Sequence, residues 1–185
     1  DASSINKRNF GGATALHMAA RQGNFEIADI LIKSGAKADI ADNEGWTPLM
    51  RAALIGNREL IKLFMDNGAN AMQRNSVGES AMVISVGSRC SECLKEMFAS
   101  PFFLRNVDDR ILKQQLSDAY AIAQNHEDKA SENILSAYLN TLTKANFAAI
   151  AESKTAAAIE VETPQNKQPE TILTPIVATS SPVLF

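Results

Sequence analysis

Three glycines, Gly12, Gly45 and Gly78, follow one another at intervals of 33 residues, and each begins a similar phrase. The phrases read GATALH, GWTPLM and GESAMV. A fixed period of this length indicates stacked copies of one supersecondary unit, because each copy buries its apolar face against its neighbours. The spacing therefore predicts a solenoid rather than a conventional globular core, and it shifts the question of function from catalysis to recognition.

The first two copies also agree beyond the opening phrase. Each continues with two alanines and then a Gly-Asn pair, and each ends on a Gly-Ala pair. Between these pairs lies an apolar stripe at the i, i+3, i+4 spacing of a helix. The stripe residues are Ile27, Ile30 and Leu31 in the first copy and Leu60, Leu63 and Phe64 in the second. Each copy is therefore predicted to hold two helices.

The residue types at the start of each copy have physical reasons. The glycine permits the positive φ of a tight loop. The hydroxyl residues Thr14, Thr47 and Ser80 come two residues later, where they are placed to cap a first helix. Pro48 follows Thr47 at the first helical position, where its missing N–H costs nothing.

The third copy departs from the pattern. Ser85-Val86 replaces the alanine pair, Arg89 replaces a glycine, and Pro101 stands where the terminal glycine is expected. A stack has to end in an atypical unit whose outer face tolerates water, so this erosion is typical of a last repeat.

The phrases resemble the ankyrin repeat, whose T-P-L-H-x-A core recurs at this period, and the resemblance covers residues 5 to 98. It implies an all-α solenoid of helix-turn-helix units joined by finger loops. Residues 1–11 form an incoming finger, and the repeats span 12–44, 45–77 and 78–101 within 12–101. The resemblance also makes His17 a structural residue that ties helix to finger.

Two further helices are predicted at residues 109–124 and 128–143, where apolar residues recur at helical spacing. They suggest a degenerate fourth helix pair over 102–143 that covers the end of the stack, or alternatively a docking surface for a partner helix. Residues 144–185 carry prolines, Ser/Thr and Gln with few aromatics, which predicts a disordered low-complexity tail. Its apolar end, 182–185, is either plain flexible chain or a docking or secretion motif.

The charge balance disfavours several kinds of partner. The net charge is −3 with no concentrated basic run, which argues against nucleic acid. No apolar stretch approaches the length of a membrane span. We expect a cytoplasmic protein, or alternatively one secreted into a host cytosol by an intracellular bacterium. The first residue is Asp1 rather than methionine, so we also expect a piece of a longer protein.

No catalytic or cofactor-binding arrangement is predicted. The sequence has no phosphate-binding glycine loop and no base placed beside a nucleophile. Cys90 and Cys93 are spaced C-x-x-C, which is compatible with a redox pair or half a zinc site. Cys93, however, falls on the buried stripe, and zinc lacks further ligands. We therefore predict two reduced thiols that fill the core, with no metal and no cofactor.

The resemblance places partner contacts on finger residues and on exposed positions late in the first helix. Carried onto this chain, the predicted partner-binding residues are Phe10, Arg21, Gln22, Asn43, Glu44, Trp46, Leu54, Ile55, Val77 and Glu79. Trp46 with Leu54 and Ile55 forms the apolar set, although an aromatic residue after the repeat glycine also packs on neighbouring fingers.

These residues predict a non-catalytic protein–protein interaction module that grips another protein with its fingers and inner helices. No nucleic acid, membrane or small-molecule substrate is expected as a partner. The alternative is the recognition or inhibitory segment of a larger protein, such as a secreted bacterial effector whose activity lies upstream.

Overall fold

A computed structural model describes residues 4–101, 103 and 108–142. The chain divides into two units, Asp1–Ala145 and Asn146–Phe185, and every described residue lies in the first. The predicted low-complexity tail over 144–185 falls outside the described residues.

The described part of the chain is all-helical, as predicted, apart from an isolated bridge between Arg74 and Ser80. The helices are α1 (Ala15–Gln22), α2 (Phe25–Lys33), α3 (Pro48–Ile55), α4 (Arg58–Asp66), α5 (Ala81–Gly87), α6 (Ser91–Ala99), α7 (Asp109–Asn125) and α8 (129–142). Three helix pairs therefore follow one another at the period of the glycine phrases.

Each helix begins where the sequence predicts a cap. The Thr47 hydroxyl accepts the backbone N–H of Met50 at 3.2 Å, and Pro48 occupies the first turn of α3. The Asn57 side chain accepts the N–H of Leu60 at the start of α4. Because these caps satisfy N–H groups that the helix leaves unpaired, short helices begin at defined residues.

The eroded third copy keeps the backbone path of the first two. Arg89 has a φ of 56°, close to the 69° of Gly23 and Gly56 at the corresponding positions. A non-glycine residue in this region carries a steric cost. The surrounding repeat therefore holds the turn in place where the sequence no longer favours it.

The helices pack in two rows. The first helices α1, α3, α5 and α7 contact one another in series, and the second helices α2, α4 and α6 form the other row. Ala20, Ala53, Val86 and Ala119 lie 33 residues apart and are all fully buried. Small side chains at these positions let neighbouring first helices approach closely, and the burial pattern continues into α7.

Backbone hydrogen bonds connect adjacent fingers. The N–H of Asn43 donates to the carbonyl of Gly11 at 3.0 Å, and the N–H of Ser76 donates to that of Glu44 at 2.9 Å. One such bond joins each successive pair, so the fingers have a fixed spacing that does not depend on their side chains.

The two cysteines are joined by a disulfide, so the prediction of two reduced thiols is wrong. Cys90 caps α6 and Cys93 lies three residues later, which places both sulfurs on the same side of the first helical turn. Cys93 is fully buried, as the apolar stripe predicted.

Aromatic side chains link α6 to α8. Phe98 stacks on Tyr138 with ring centroids 4.1 Å apart, and Phe103 meets both rings edge-on. Burial also raises the pKa of the Tyr138 hydroxyl above its ordinary value. This cluster attaches the predicted fourth helix pair to the third repeat, and its role as a cap stays a prediction.

Candidate partner-binding site

A groove of about 280 Å³ lies along the row of first helices, next to the second and third fingers. Its lining residues are Trp46, Leu54, Glu79, Val83, Ile84, Gly87, Ser88 and Ile122. Three predicted partner-binding residues, Trp46, Leu54 and Glu79, thus line one concave surface.

The walls of the groove come from α3, α5 and α7. Leu54, in the last turn of α3, remains 50% exposed, and Ile84 on α5 is buried. The Ser88 hydroxyl donates to the carbonyl of Ala53 at 2.8 Å, which connects the end of α5 to α3. Neighbouring repeats are thereby held together at the edge of the groove, and its shape is preformed.

Trp46 is fixed by a cluster of charged and backbone groups. The Arg51 guanidinium lies 4.3 Å from the centre of the indole ring and donates to Asp42 Oδ2 at 2.9 Å. Asp42 Oδ1 in turn accepts the backbone N–H of Trp46 at 2.9 Å. The half-buried ring is therefore part of a rigid wall, which shows that its role is partly structural.

The charge of Asp42 supports this arrangement. Burial works to raise the pKa of its carboxyl, but the hydrogen bonds from Arg51 and from the backbone of Trp46 and Glu44 outweigh burial. The pKa lies below its ordinary value, so Asp42 is ionised at neutral pH and keeps Arg51 over the ring.

His17 connects the first repeat to the second finger. The backbone N–H of Thr14 donates to Nδ1 at 3.0 Å, which requires Nδ1 to be unprotonated. Nε2 then carries the hydrogen and donates to the carbonyl of Trp46 at 3.0 Å. This geometry gives His17 the structural role that the sequence resemblance implied.

The pKa of His17 lies below its ordinary value of 6.5, chiefly because burial disfavours the charged ring. A second proton on Nδ1 would face the N–H of Thr14, so the fold selects the neutral form. The unfolded chain then binds more protons between the lowered folded pKa and about pH 6.5. Stability contributed by His17 is complete above that range and is lost as pH falls through it.

We expect the melting temperature of the wild-type chain to fall as pH is lowered from 7.5 to 5.5, and this slope to diminish in His17→Gln. Thermal melts followed by circular dichroism measure it. The exposed His126 offers a matched control, since His126→Gln should keep the slope. An unchanged slope in His17→Gln would contradict the assignment, whatever the absolute melting temperature.

Glu79 supplies the charge in the groove lining. Its side chain accepts the Asn75 amide Nδ2 at 3.2 Å, and Asn75 Oδ1 accepts the backbone N–H groups of Val77 and Glu79. Asn75 is buried, so the third finger positions the carboxylate against a rigid loop. The groove therefore combines apolar walls with one acidic edge.

The other predicted partner-binding residues lie outside the groove lining. Ile55 is 46% exposed and faces Gly23 of the first repeat. Asn43 donates from Nδ2 to the Phe10 carbonyl at 3.0 Å, so it helps join two fingers. The remaining predicted residues are exposed on fingers or at the end of α1: Phe10, Arg21, Gln22, Glu44 and Val77. Their partner contacts stay predictions.

Sequence reasoning missed Val83, Ile84 and Ile122. Val83 shares its register position with the buried Met50, so it was assigned to packing. Ile122 corresponds to Arg89, which lies beyond the end of α5, and only the longer α7 reaches this far. The repeat period carries no signal for a residue in an extra helical turn.

Comparison with known proteins agrees with the helical arrangement. Residues 1–75 match the family model for ankyrin repeats in three copies. These residues belong to the ankyrin repeat family. The helix pair of α5 and α6 lies beyond the matched residues, yet it continues the same two rows.

Ankyrin repeats of very different proteins resemble this chain. Protein phosphatase 1 regulatory subunit 12A of Mus musculus is 39% identical over 74 residues, which cover 40% of this chain and 7% of that protein. An ankyrin repeat-containing protein of Treponema pallidum (strain Nichols) is 39% identical over 79 residues, or 42% of this chain and 26% of the relative. The E3 ubiquitin-protein ligase KEG of Arabidopsis thaliana is 30% identical over 108 residues, 57% of this chain and 7% of the ligase.

The chain thus spans a quarter or less of the length of most of these relatives, and 26% of the treponemal one. Ankyrin repeats are a generic module for protein–protein interaction and are generally non-catalytic. Among the described residues, no group of His, Cys, Asp and Glu is arranged to hold a metal ion, and no helix is long and apolar enough to cross a membrane.

Proposed function

We propose that this chain is a recognition module whose ankyrin repeats bind a partner protein in the groove beside the second and third fingers. The observation that carries the proposal is the convergence of Trp46, Leu54 and Glu79 with Ile122 on one preformed concave surface. A preformed surface loses little conformational entropy when it binds, which favours affinity.

The lining defines the chemistry of the partner segment. Leu54, Val83 and Ile122 offer apolar contact for one or two aliphatic or aromatic side chains. Glu79 favours a lysine or arginine beside them, and a charge at the edge sets orientation more than affinity. We therefore expect an apolar segment with an adjacent basic residue.

Leu54→Glu is the sharpest test, because it places a charge in the apolar wall at a half-exposed position that tolerates it. We expect affinity for a captured partner to fall at least about tenfold, equivalent to about 1.4 kcal/mol. Capture from a cell lysate with mass-spectrometric identification finds the partner, and calorimetry with the purified partner then measures the dissociation constant.

Ile55→Glu provides the matched control, since Ile55 is the adjacent residue with similar exposure but faces Gly23 instead of the groove. Circular dichroism should show both variants to be folded. Equal loss of binding in both variants, or none in Leu54→Glu, would refute the groove as the binding site.

A second candidate is the recognition or inhibitory segment of a larger protein, such as a secreted bacterial effector. The much greater length of the relatives supports it, as does the name of the Mus musculus relative that combines ankyrin repeats with a SAM domain. A cytoplasmic location, in a bacterium or in its host, is part of both proposals. Sequencing the surrounding reading frame distinguishes them: a neighbouring catalytic domain would favour the second.

A further inference from the structure

Cys90 replaces a capping asparagine of the earlier repeats. Asn24 and Asn57 lie 33 and 66 residues before it, and their side chains accept the third backbone N–H of α2 and α4. In α6, Cys90 Sγ accepts the corresponding N–H of Cys93 at 3.3 Å. A sulfur thus occupies a position where the fold directs unpaired N–H groups and the positive end of the helix dipole.

The two bonded sulfurs have different access to solvent. Cys90 is half-buried in the loop that enters α6, whereas Cys93 is fully buried against the core. Glu92 lies between them in sequence, but its carboxylate is paired with Lys95 at 2.5 Å. A cysteine at a helix N-terminus has a stabilised thiolate, so the accessible sulfur is also the one whose anion the fold favours.

We propose that Cys90 and Cys93 form a reversible dithiol–disulfide site that exchanges with low-molecular-weight thiols through Cys90. This goes beyond the proposed recognition function and does not depend on it. The buried position of Cys93 makes Cys90 the sulfur that an incoming thiolate reaches.

The exchange takes place in two steps. The thiolate of the small molecule attacks Cys90 Sγ, the Cys90–Cys93 bond breaks, and Cys93 leaves as a thiolate that takes up a proton. A second small thiol, as its thiolate, then attacks the mixed disulfide at the small-molecule sulfur and releases Cys90, which is protonated when reduction is complete. The protein gains two electrons and two protons, and two small thiols become one small-molecule disulfide.

The site lies at the junction of two repeats. Cys90 Sγ is 3.6 Å from the carbonyl oxygen of Gly56, and Ser88, two residues earlier, lines the groove. A change of oxidation state at this position therefore acts where the second and third repeats meet, within a helical turn of the partner-binding surface.

A redox titration of the whole 185-residue chain tests the proposal. The folded protein is equilibrated with mixtures of reduced and oxidised glutathione, free thiols are trapped with iodoacetamide, and the products are identified by mass spectrometry. We expect the pair to convert reversibly between disulfide and dithiol without denaturant, with circular dichroism unchanged. Reduction that requires denaturant, or a chain that fails to reoxidise when folded, would overturn the proposal.

Two single variants test the asymmetry between the sulfurs. With oxidised glutathione, Cys93→Ser should accumulate a mixed disulfide at Cys90, whereas Cys90→Ser should react at least about tenfold more slowly. Serine is itself a good helix cap, so Cys90→Ser keeps the start of α6. Equal rates in two folded variants would refute Cys90 as the entry point. If a variant does not fold, the wild-type titration alone decides.

Discussion

Replacing Phe64 by alanine should lower the free energy of unfolding by about 4 kcal/mol. Phe64 lies on α4 in the middle of the stack, and its side chain is fully buried. Its removal deletes apolar contacts and leaves a cavity that rigid neighbouring helices cannot fill. Because small domains have only about 5–15 kcal/mol of stability in total, much of the chain should be unfolded near its normal melting range. Urea denaturation followed by circular dichroism measures the change.

Phe25→Ala is the matched control for this experiment, since it makes the same chemical change at a residue that is 39% exposed on α2. It should cost less than half as much as Phe64→Ala, because less apolar surface is lost and solvent fills the space. Similar losses in the two variants would mean that the second repeat is not the centre of the core.

Gly45→Ala should have the second-largest effect on stability, about 3 kcal/mol or more. Gly45 has a φ of +80°, and an added Cβ would lie 2.9 Å from the Cα of Asn75 and 3.1 Å from the N of Ser76. Those atoms belong to the backbone of the next finger, which is held by its own hydrogen bonds, so the finger itself has to move. The expected result is a large drop in melting temperature.

Gly68→Ala separates the two causes of that loss. Gly68 has a nearly identical φ of +82°, but in the described part of the chain nothing lies within 4 Å of an added Cβ. It should cost only the left-handed strain, about 1–2 kcal/mol. If both variants lose the same stability, the close approach of the second and third fingers contributes nothing.

The fold could be predicted from the sequence because its repeat leaves a mark at each turn. Thr47 and Pro48 indicate the start of α3, and the glycine spacing predicts where the next helix pair begins. These signals are local, since a cap or a positive φ depends on one or two residues. The structure confirms the predicted helices and their order.

The site was less predictable because it depends on distances between elements. The sequence suggested Trp46, Leu54 and Ile55 as one apolar set, whereas the structure directs Ile55 toward Gly23 and places Ile122 across the groove. That exchange follows from the length of α7, which no repeat position encodes. The C-x-x-C spacing likewise indicated a pair of cysteines, but not that both sulfurs lie on one helical turn.

The hydrogen bonds between fingers have a consequence for evolution. They use only the backbone N–H and C=O of residues such as Asn43, Ser76 and Glu44, so fingertip side chains change without altering the spacing of the loops. Selection for a new partner can therefore act on tip residues such as Phe10 and Val77 while the scaffold stays constant. Binding preference and folding are thus largely independent traits in this chain, and specificity can diverge faster than architecture.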